Sequence, residues 1–259
     1  MKYLNKIILI ILTFSLNANT HGLKEAIEST DRTPTNVLRD QYRNPQDTLT
    51  FFGVKDDMVL VELSPGSGWY TEILANYIHH PGKLIAAHFD PQSSSNYYRR
   101  SRAGFEKKLA SSDMYRNVEL VNLFDKLAEP NSVDGIITFR NLHNWLGSNI
   151  DLIFTNSFRA LKPGGIFGVV EHRANVGTTM EVMKKSGYVT EEYAISVAKK
   201  HGFELVAKSE INANPLDTKD YENGVWTLPP SLRLKDLDKE KYMAIGESDR
   251  MTLLFKKPE

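Results

Sequence analysis

Hydrophobic positions fall along this chain in short runs whose spacing alternates between the period of two found in strands and the period of about 3.6 found in helices. Met58 to Leu63 is compactly apolar, the run stops at Ser64-Pro65-Gly66-Ser67-Gly68, and Trp69 to Ile78 then repeats with helical spacing. This reads as a strand, a glycine-rich turn and a helix. Pro81-Gly82 punctuates the chain, and Lys83 to Phe89 forms a second strand ending near Asp90, which completes a βαβ unit. A helix is expected at Arg102 to Ser111, strands at Val118 to Leu123 and Val133 to Phe139, and a further helix from Ile150 to Ala160. Leu161-Lys162-Pro163-Gly164-Gly165 stops that helix, because proline and glycine cannot extend it, and Ile166 to Glu171 follows as a fifth strand. After Thr190 a helix runs to Lys200 and ends at Gly202; Phe203 to Ile211 and Met251 to Phe255 supply two more strands. The alternation predicts one α/β domain, doubly wound about a largely parallel sheet.

Three segments depart from that rhythm. Lys2 and Lys6 precede an apolar run from Ile7 to Leu16 and a small residue at Ala18, the pattern of a signal peptide over residues 1–18. The run is shorter than the roughly 20 residues that span a bilayer, so cleavage and export to the periplasm or beyond are expected, with an uncleaved anchor as the alternative. Residues 19–45 are polar, with Ala26, Ile27, Val37 and Leu38 spaced as on two short helices around Pro34. The domain itself is expected over 46–259. Within it, 212–250 is loop-rich and contains Pro215, Pro229 and Pro230, which reads as a lid-like insertion.

Composition narrows the partners. Lys and Arg together equal Asp and Glu, so the formal net charge is zero, and the basic residues are scattered, which gives no footprint for a nucleic-acid backbone. A small-molecule substrate is expected; the oligomeric state is not legible. The absence of cysteine leaves no disulfide framework to require an oxidising compartment.

In an open parallel sheet, ligands bind beyond the carboxyl ends of the strands. After the first strand, glycines let the backbone approach a ligand, and the next helix aims its N-terminal N–H groups there, which implies a nucleotide-like ligand near Glu62, Ser64, Pro65, Gly66, Ser67 and Gly68. A nicotinamide dinucleotide would call for a third glycine where Thr71 stands, and gives no reason for the acidic Glu62; a positively charged ligand gives one. After the fourth strand comes Arg140-Asn141-Leu142-His143-Asn144-Trp145. His143 can act as a general base, and Arg140 or Arg173 can hold a substrate carboxylate, so Arg140, Asn141 and His143 are the catalytic candidates. Glu171-His172-Arg173 ends the fifth strand; its spacing to His143 is not that of a metal motif, no helical H-E-x-x-H occurs, and no metal is expected. No Gly-x-Ser-x-Gly elbow points to a hydrolase.

Residues 62–68 resemble motif I of class I S-adenosylmethionine-dependent methyltransferases, and Leu161-Lys162-Pro163-Gly164-Gly165 resembles their turn before strand five. More narrowly, the chain resembles a family of predicted exported bacterial methyltransferases. The matching residues are Arg39-Asp40 with Arg43 and Pro45, Phe51-Phe52-Gly53-Val54, and Pro65 to Leu74. They continue with Arg140-Asn141-Leu142-His143 and Trp145, Glu171-His172-Arg173-Ala174, and Asp249-Arg250. The resemblance implies a Rossmann-like seven-stranded sheet of order 3-2-1-4-5-7-6 with an antiparallel last strand, and S-adenosyl-L-methionine as cofactor. Ser64 replaces the usual first glycine and is expected to need only an extended backbone. His88 or Asp90 takes the place of the acid that binds ribose hydroxyls, Asp125 is the candidate for the adenine amino group, and Tyr70 and Trp145 offer π faces. The functional alternative is a non-catalytic binding protein of the cell envelope built on the same fold.

Overall fold

The computed structural model describes residues 22–259. The expected signal segment lies outside the described residues. Seven strands form one sheet: β1 (Val59–Leu63), β2 (Lys83–His88), β3 (Val118–Asn122), β4 (Val133–Phe139), β5 (Leu161–His172), β6 (Glu204–Ser209) and β7 (Arg250–Lys256). Their order is β3-β2-β1-β4-β5-β7-β6. The first five run parallel, and β7 is antiparallel to both β5 and β6. The expected turn at 161–165 lies within β5, where it takes the form of a register shift: Val133 pairs with Leu161, and Gly135 already with Ile166.

Helices cover both faces. The N-terminal segment forms α1 (Leu23–Ile27), α2 (Pro34–Val37), α3 (Asp40–Arg43) and α4 (Pro45–Phe52), more and shorter helices than the two expected. After them come α5 (Trp69–Tyr77), α6 (Asn96–Leu109), α7 (Leu142–Trp145), α8 (Ser148–Ala160), α9 (Met180–Ser186), α10 (Glu191–Lys200) and α11 (Lys239–Ile245). One buried cluster joins α8 and α10 to the sheet through Phe154, Val197 and Phe167. On the other face Leu49 and Phe52 of α4 and Ile73 and Leu74 of α5 pack together. Phe52 lies so close to β5 that a Cβ on Gly168 would sit 2.8 Å from its ring, so a glycine is required there. No helix among the described residues is long and apolar enough to cross a membrane.

Side-chain alternation along β1 decides what each residue meets. Val61 and Leu63 face the α8 and α10 cluster, Leu60 faces the α4 and α5 cluster, and Glu62, two positions from Leu60, shares its side and meets α5. The segment from Asn212 to Asp249 is docked rather than free. Asn212 donates to Thr48 Oγ1 and Thr252 Oγ1, each at 3.0 Å. Asp217 accepts from Tyr188 Oη at 3.0 Å, and Val225 packs with Ala174 and Tyr188. This holds 225–231 against the carboxyl end of the sheet.

Candidate active site

Two hollows open where the parallel strands end. The first, of about 270 Å³, is bordered by Ser64 and Gly66 after β1, His88 and Phe89 at the end of β2, Tyr97, Tyr98 and Ser101 of α6, and Asn141, Asn144 and Trp145 after β4. The loop that shapes it holds three left-handed residues, Ser64 (φ 51°), Gly66 (φ 62°) and Gly68 (φ 82°). Ser64 therefore does not have the extended backbone expected of it. A left-handed serine carries roughly 1–2 kcal/mol of steric cost, the kind of strain that gathers at functional turns. Its Oγ is buried with no hydrogen-bond partner among the described residues. A Cβ added to Gly66 would meet no atom within 4 Å, so the loop faces open space there. The first N–H groups of α5 start at this loop, and no side chain caps them.

His88 stabilises that loop. Its Nδ1 accepts from Phe89 N–H at 2.7 Å, which leaves Nε2 protonated to donate to Gly66 O at 3.2 Å. Burial pushes its pKa down to about 4, so the ring is neutral at physiological pH. Both ring nitrogens are thus engaged. Asp90 instead borders an adjoining hollow with Asp125; Tyr98 and Phe124 border both spaces. Asp90 Oδ1 accepts from Gln92 N–H at 2.8 Å, and Asp125 Oδ2 accepts from Asn122 Nδ2 at 3.0 Å.

Two of the expected cofactor residues lie behind the first hollow. Glu62 is buried and accepts from Thr71 Oγ1 at 2.6 Å, and burial pushes its carboxyl up to about 7. Thr71, standing where a dinucleotide fold would need glycine, pins α5 to β1. Tyr70 stacks on Phe139 with ring centroids 3.4 Å apart, and its hydroxyl donates to Arg43 O at 3.2 Å. Burial pushes that phenol up to about 12.

The second hollow, of about 190 Å³, is bordered by Arg140, His143 and His172 at the strand ends, Trp226 and Pro229 to Ser231 from the docked segment, and Glu247 and Ser248 before β7. Glu171, fully buried, accepts from His143 N–H at 3.2 Å and His172 N–H at 2.7 Å, and its Oε1 lies 3.0 Å from His143 Nδ1. A carboxylate can only accept here, so Nδ1 carries the proton and Nε2 is left with its lone pair. His172 Nδ1 lies 2.5 Å from Ser248 Oγ. Burial first, then the closeness of the His143 ring and of the arginines 140, 250 and 43, holds the His172 pKa well below its ordinary range. Arg140 has a left-handed backbone (φ 63°), and its N–H donates to Val170 O at 2.6 Å.

Asn141 lies between the hollows and donates from Nδ2 toward Ser64 O at 3.2 Å and Phe139 O at 3.1 Å, which ties the first loop to the end of β4. The fold also brings ligand atoms of His143, Glu171 and His172 within 4.8 Å of one another. Arginines 43, 140 and 250 press positive charge on that cluster, which opposes a dication. Trp226, Glu247 and Ser248 were not foreseen as site residues. Asp249-Arg250 next to them was marked by the resemblance, but no role followed from it.

No protein-family model matches the chain, and no curated protein matches it either. Solved structures do. A SAM-dependent methyltransferase from Aquifex aeolicus aligns with a TM-score of 0.57 at 16% identity, over 91% of this chain and 98% of that one. A geranyl diphosphate methyltransferase in complex with SAM aligns with a TM-score of 0.59 at 11% identity, over 90% and 94%. The cyclase SpnF aligns with a TM-score of 0.55 at 16% identity, over 83% and 80%. The chain has the class I methyltransferase fold, and what it does must be argued from its own site.

Proposed function

We propose that this chain is an S-adenosyl-L-methionine-dependent methyltransferase, with the donor in the first hollow and a small acceptor in the second. The observation that carries the proposal is the division of one short segment between the two spaces: Asn141, Asn144 and Trp145 border the first, Arg140 and His143 the second. A turn of helix at the end of β4 thus brings two binding spaces together, which is what group transfer between two small molecules requires.

The residues around the first hollow suit the donor. Ser64 Oγ is a buried polar atom awaiting a partner, Gly66 leaves room for close approach, and the uncapped start of α5 offers N–H groups. Asp90, in the adjoining hollow that shares Tyr98 and Phe124 with the first, is assigned to the ribose hydroxyls, since both nitrogens of His88 are engaged. Ser64, Gly66 and Asp90 would hold the donor, which would supply an electrophilic methyl group for an acceptor's lone pair, its sulfur leaving as a neutral thioether. His143 Nε2 takes the proton that the acceptor loses. Glu171 fixes the tautomer that allows this and stabilises the imidazolium that results. Asn141 holds the donor loop in register with β4. Positioning can supply about 7 kcal/mol or more, while a general base adds about 100-fold, so loss of the donor site outweighs loss of His143.

The decisive experiment is calorimetric titration of the chain from residue 19 onward with S-adenosylmethionine and S-adenosylhomocysteine, followed by transfer of labelled methyl to small-molecule extracts. Gly66→Val fills the open side of the loop and should abolish donor binding. Absence of binding by the unsubstituted chain would leave the fold as that of a non-catalytic binder. We further propose export, from the basic and apolar pattern of residues 1–18; cell fractionation, with retention in the cytoplasm as the contrary result, tests it.

A further inference from the structure

The second hollow lies beside more positive charge than its own side chains neutralise. Glu247 is 3% exposed and is the single carboxylate within a ring of four arginines, Arg39, Arg43, Arg140 and Arg250. Three of them are committed to it: Arg39 Nε donates at 2.7 Å, and Arg43 Nε and Arg250 Nη1 donate at 3.3 Å. Arg140 is not. Its Nη1 stands 3.8 Å from Glu247 Oε2, beyond hydrogen-bond reach, and its guanidinium donates to no group among the described residues. Four guanidiniums around one carboxylate leave an excess of positive charge that Asp249, near Arg250, offsets only in part, in a place where burying unpaired charge is costly.

Arg140 also differs from the other three in where it lies. It borders the second hollow, partly open to it, whereas Arg43 and Arg250 are buried behind Glu247. Its left-handed backbone at the end of β4 fixes the point from which the side chain starts. A guanidinium with free donors matches a carboxylate or phosphate in a two-bond fork, and the hydroxyls of Ser231 and Ser248 border the same space. The apolar side chains of Trp226, Pro229 and Pro230 also border it.

We infer that the second hollow binds a small organic oxyanion, a carboxylate or phosphate head on Arg140 with an apolar body against Trp226, and, resting on the methyl-transfer reading above, that this oxyanion is the acceptor. The charge supplied by the ligand completes the arginine ring, and His143 then faces the rest of the molecule.

The test is equilibrium binding of three matched probes, benzoate, phenyl phosphate and benzamide, to the chain from residue 19 onward. The same preparation is titrated with S-adenosylhomocysteine. One or both anions should bind about tenfold or more tighter than the neutral amide, and which of them does names the head group. Arg140→Gln should erase the preference and leave affinity for S-adenosylhomocysteine unchanged. Equal binding of all three probes, or no binding of either anion at millimolar concentration, overturns the inference even if S-adenosylhomocysteine binds. Anion preference without binding of S-adenosylhomocysteine upholds the anion site and removes the methyl-transfer reading. The charged-against-neutral comparison on the unsubstituted chain decides the matter if the variant does not fold.

Discussion

Glu171 Oε1 lies 3.0 Å from His143 Nδ1, and the carboxylate is completely buried at the end of β5. One backbone N–H from each histidine, His143 and His172, also points at it, so its position is determined on three sides. If the imidazole rotated away, the buried carboxylate would lose its one side-chain donor and keep only the two backbone N–H groups, a cost that favours one ring orientation and one tautomer.

Glu171→Gln is therefore expected to impair chemistry more than binding. An amide can donate to Nδ1 and move the proton to Nε2, where it blocks the base. Methyl transfer should fall by roughly 100-fold or more, the range assigned to a lost general base. Single-turnover transfer measured beside calorimetric donor affinity checks this, with an unchanged affinity as the second half of the expectation.

Ser64→Gly separates strain from function. The left-handed backbone at φ 51° suits glycine, so relief of roughly 1 kcal/mol should show in the denaturation midpoint, partly offset by the greater freedom of the unfolded chain. The same change removes the unpartnered hydroxyl in the first hollow. Donor affinity should weaken by about fivefold, the worth of one ordinary hydrogen bond.

Glu62 sets a pH dependence of one sign. Its carboxyl is raised from 4.5 to about 7 by burial. A raised folded-state value gives stability that is complete below pH 4.5 and lost as pH rises through about 7. Glu62→Gln should then gain up to about 3 kcal/mol at pH 8 and little at pH 4. Denaturant unfolding at the two pH values measures the difference.

Glu247 sets the opposite sign. Burial alone would raise its carboxyl, but Arg43, Arg140, Arg250 and Arg39 outweigh that and hold it at about 2, down from 4.5. Its contribution is present above pH 4.5 and is lost as pH falls toward 2, and amounts to about 3 kcal/mol. Glu247→Gln leaves four arginines facing one another, so a loss of roughly 3–5 kcal/mol is expected at neutral pH, with a flatter acid limb in the unfolding midpoint.

The sheet was legible because each strand is a short apolar run bounded by turn residues, and the strand order followed from the resemblance. The glycine loop was legible for the same local reason. Helix α7 was not, since four residues carry no period, yet it is the element that both hollows share. Tyr70 was read as a ligand contact for its π face; its place in the core depends on Phe139 of a strand nearly 70 positions later. The ring around Glu247 draws on residues at 39, 43, 140 and 250, and no window of sequence holds them together. Arg39 and Arg43 in the N-terminal helical segment thereby reach Glu247, which borders the second hollow.

The floor of the second hollow comes from strand ends, while its apolar wall comes from 225–231, a stretch held by its own contacts with Ala174 and Tyr188. The apolar wall and the His143–Glu171 pair thus come from different stretches of the chain. On the proposed reading, exchanging that wall alone is expected to change which acids bind while His143 and Glu171 stay in place.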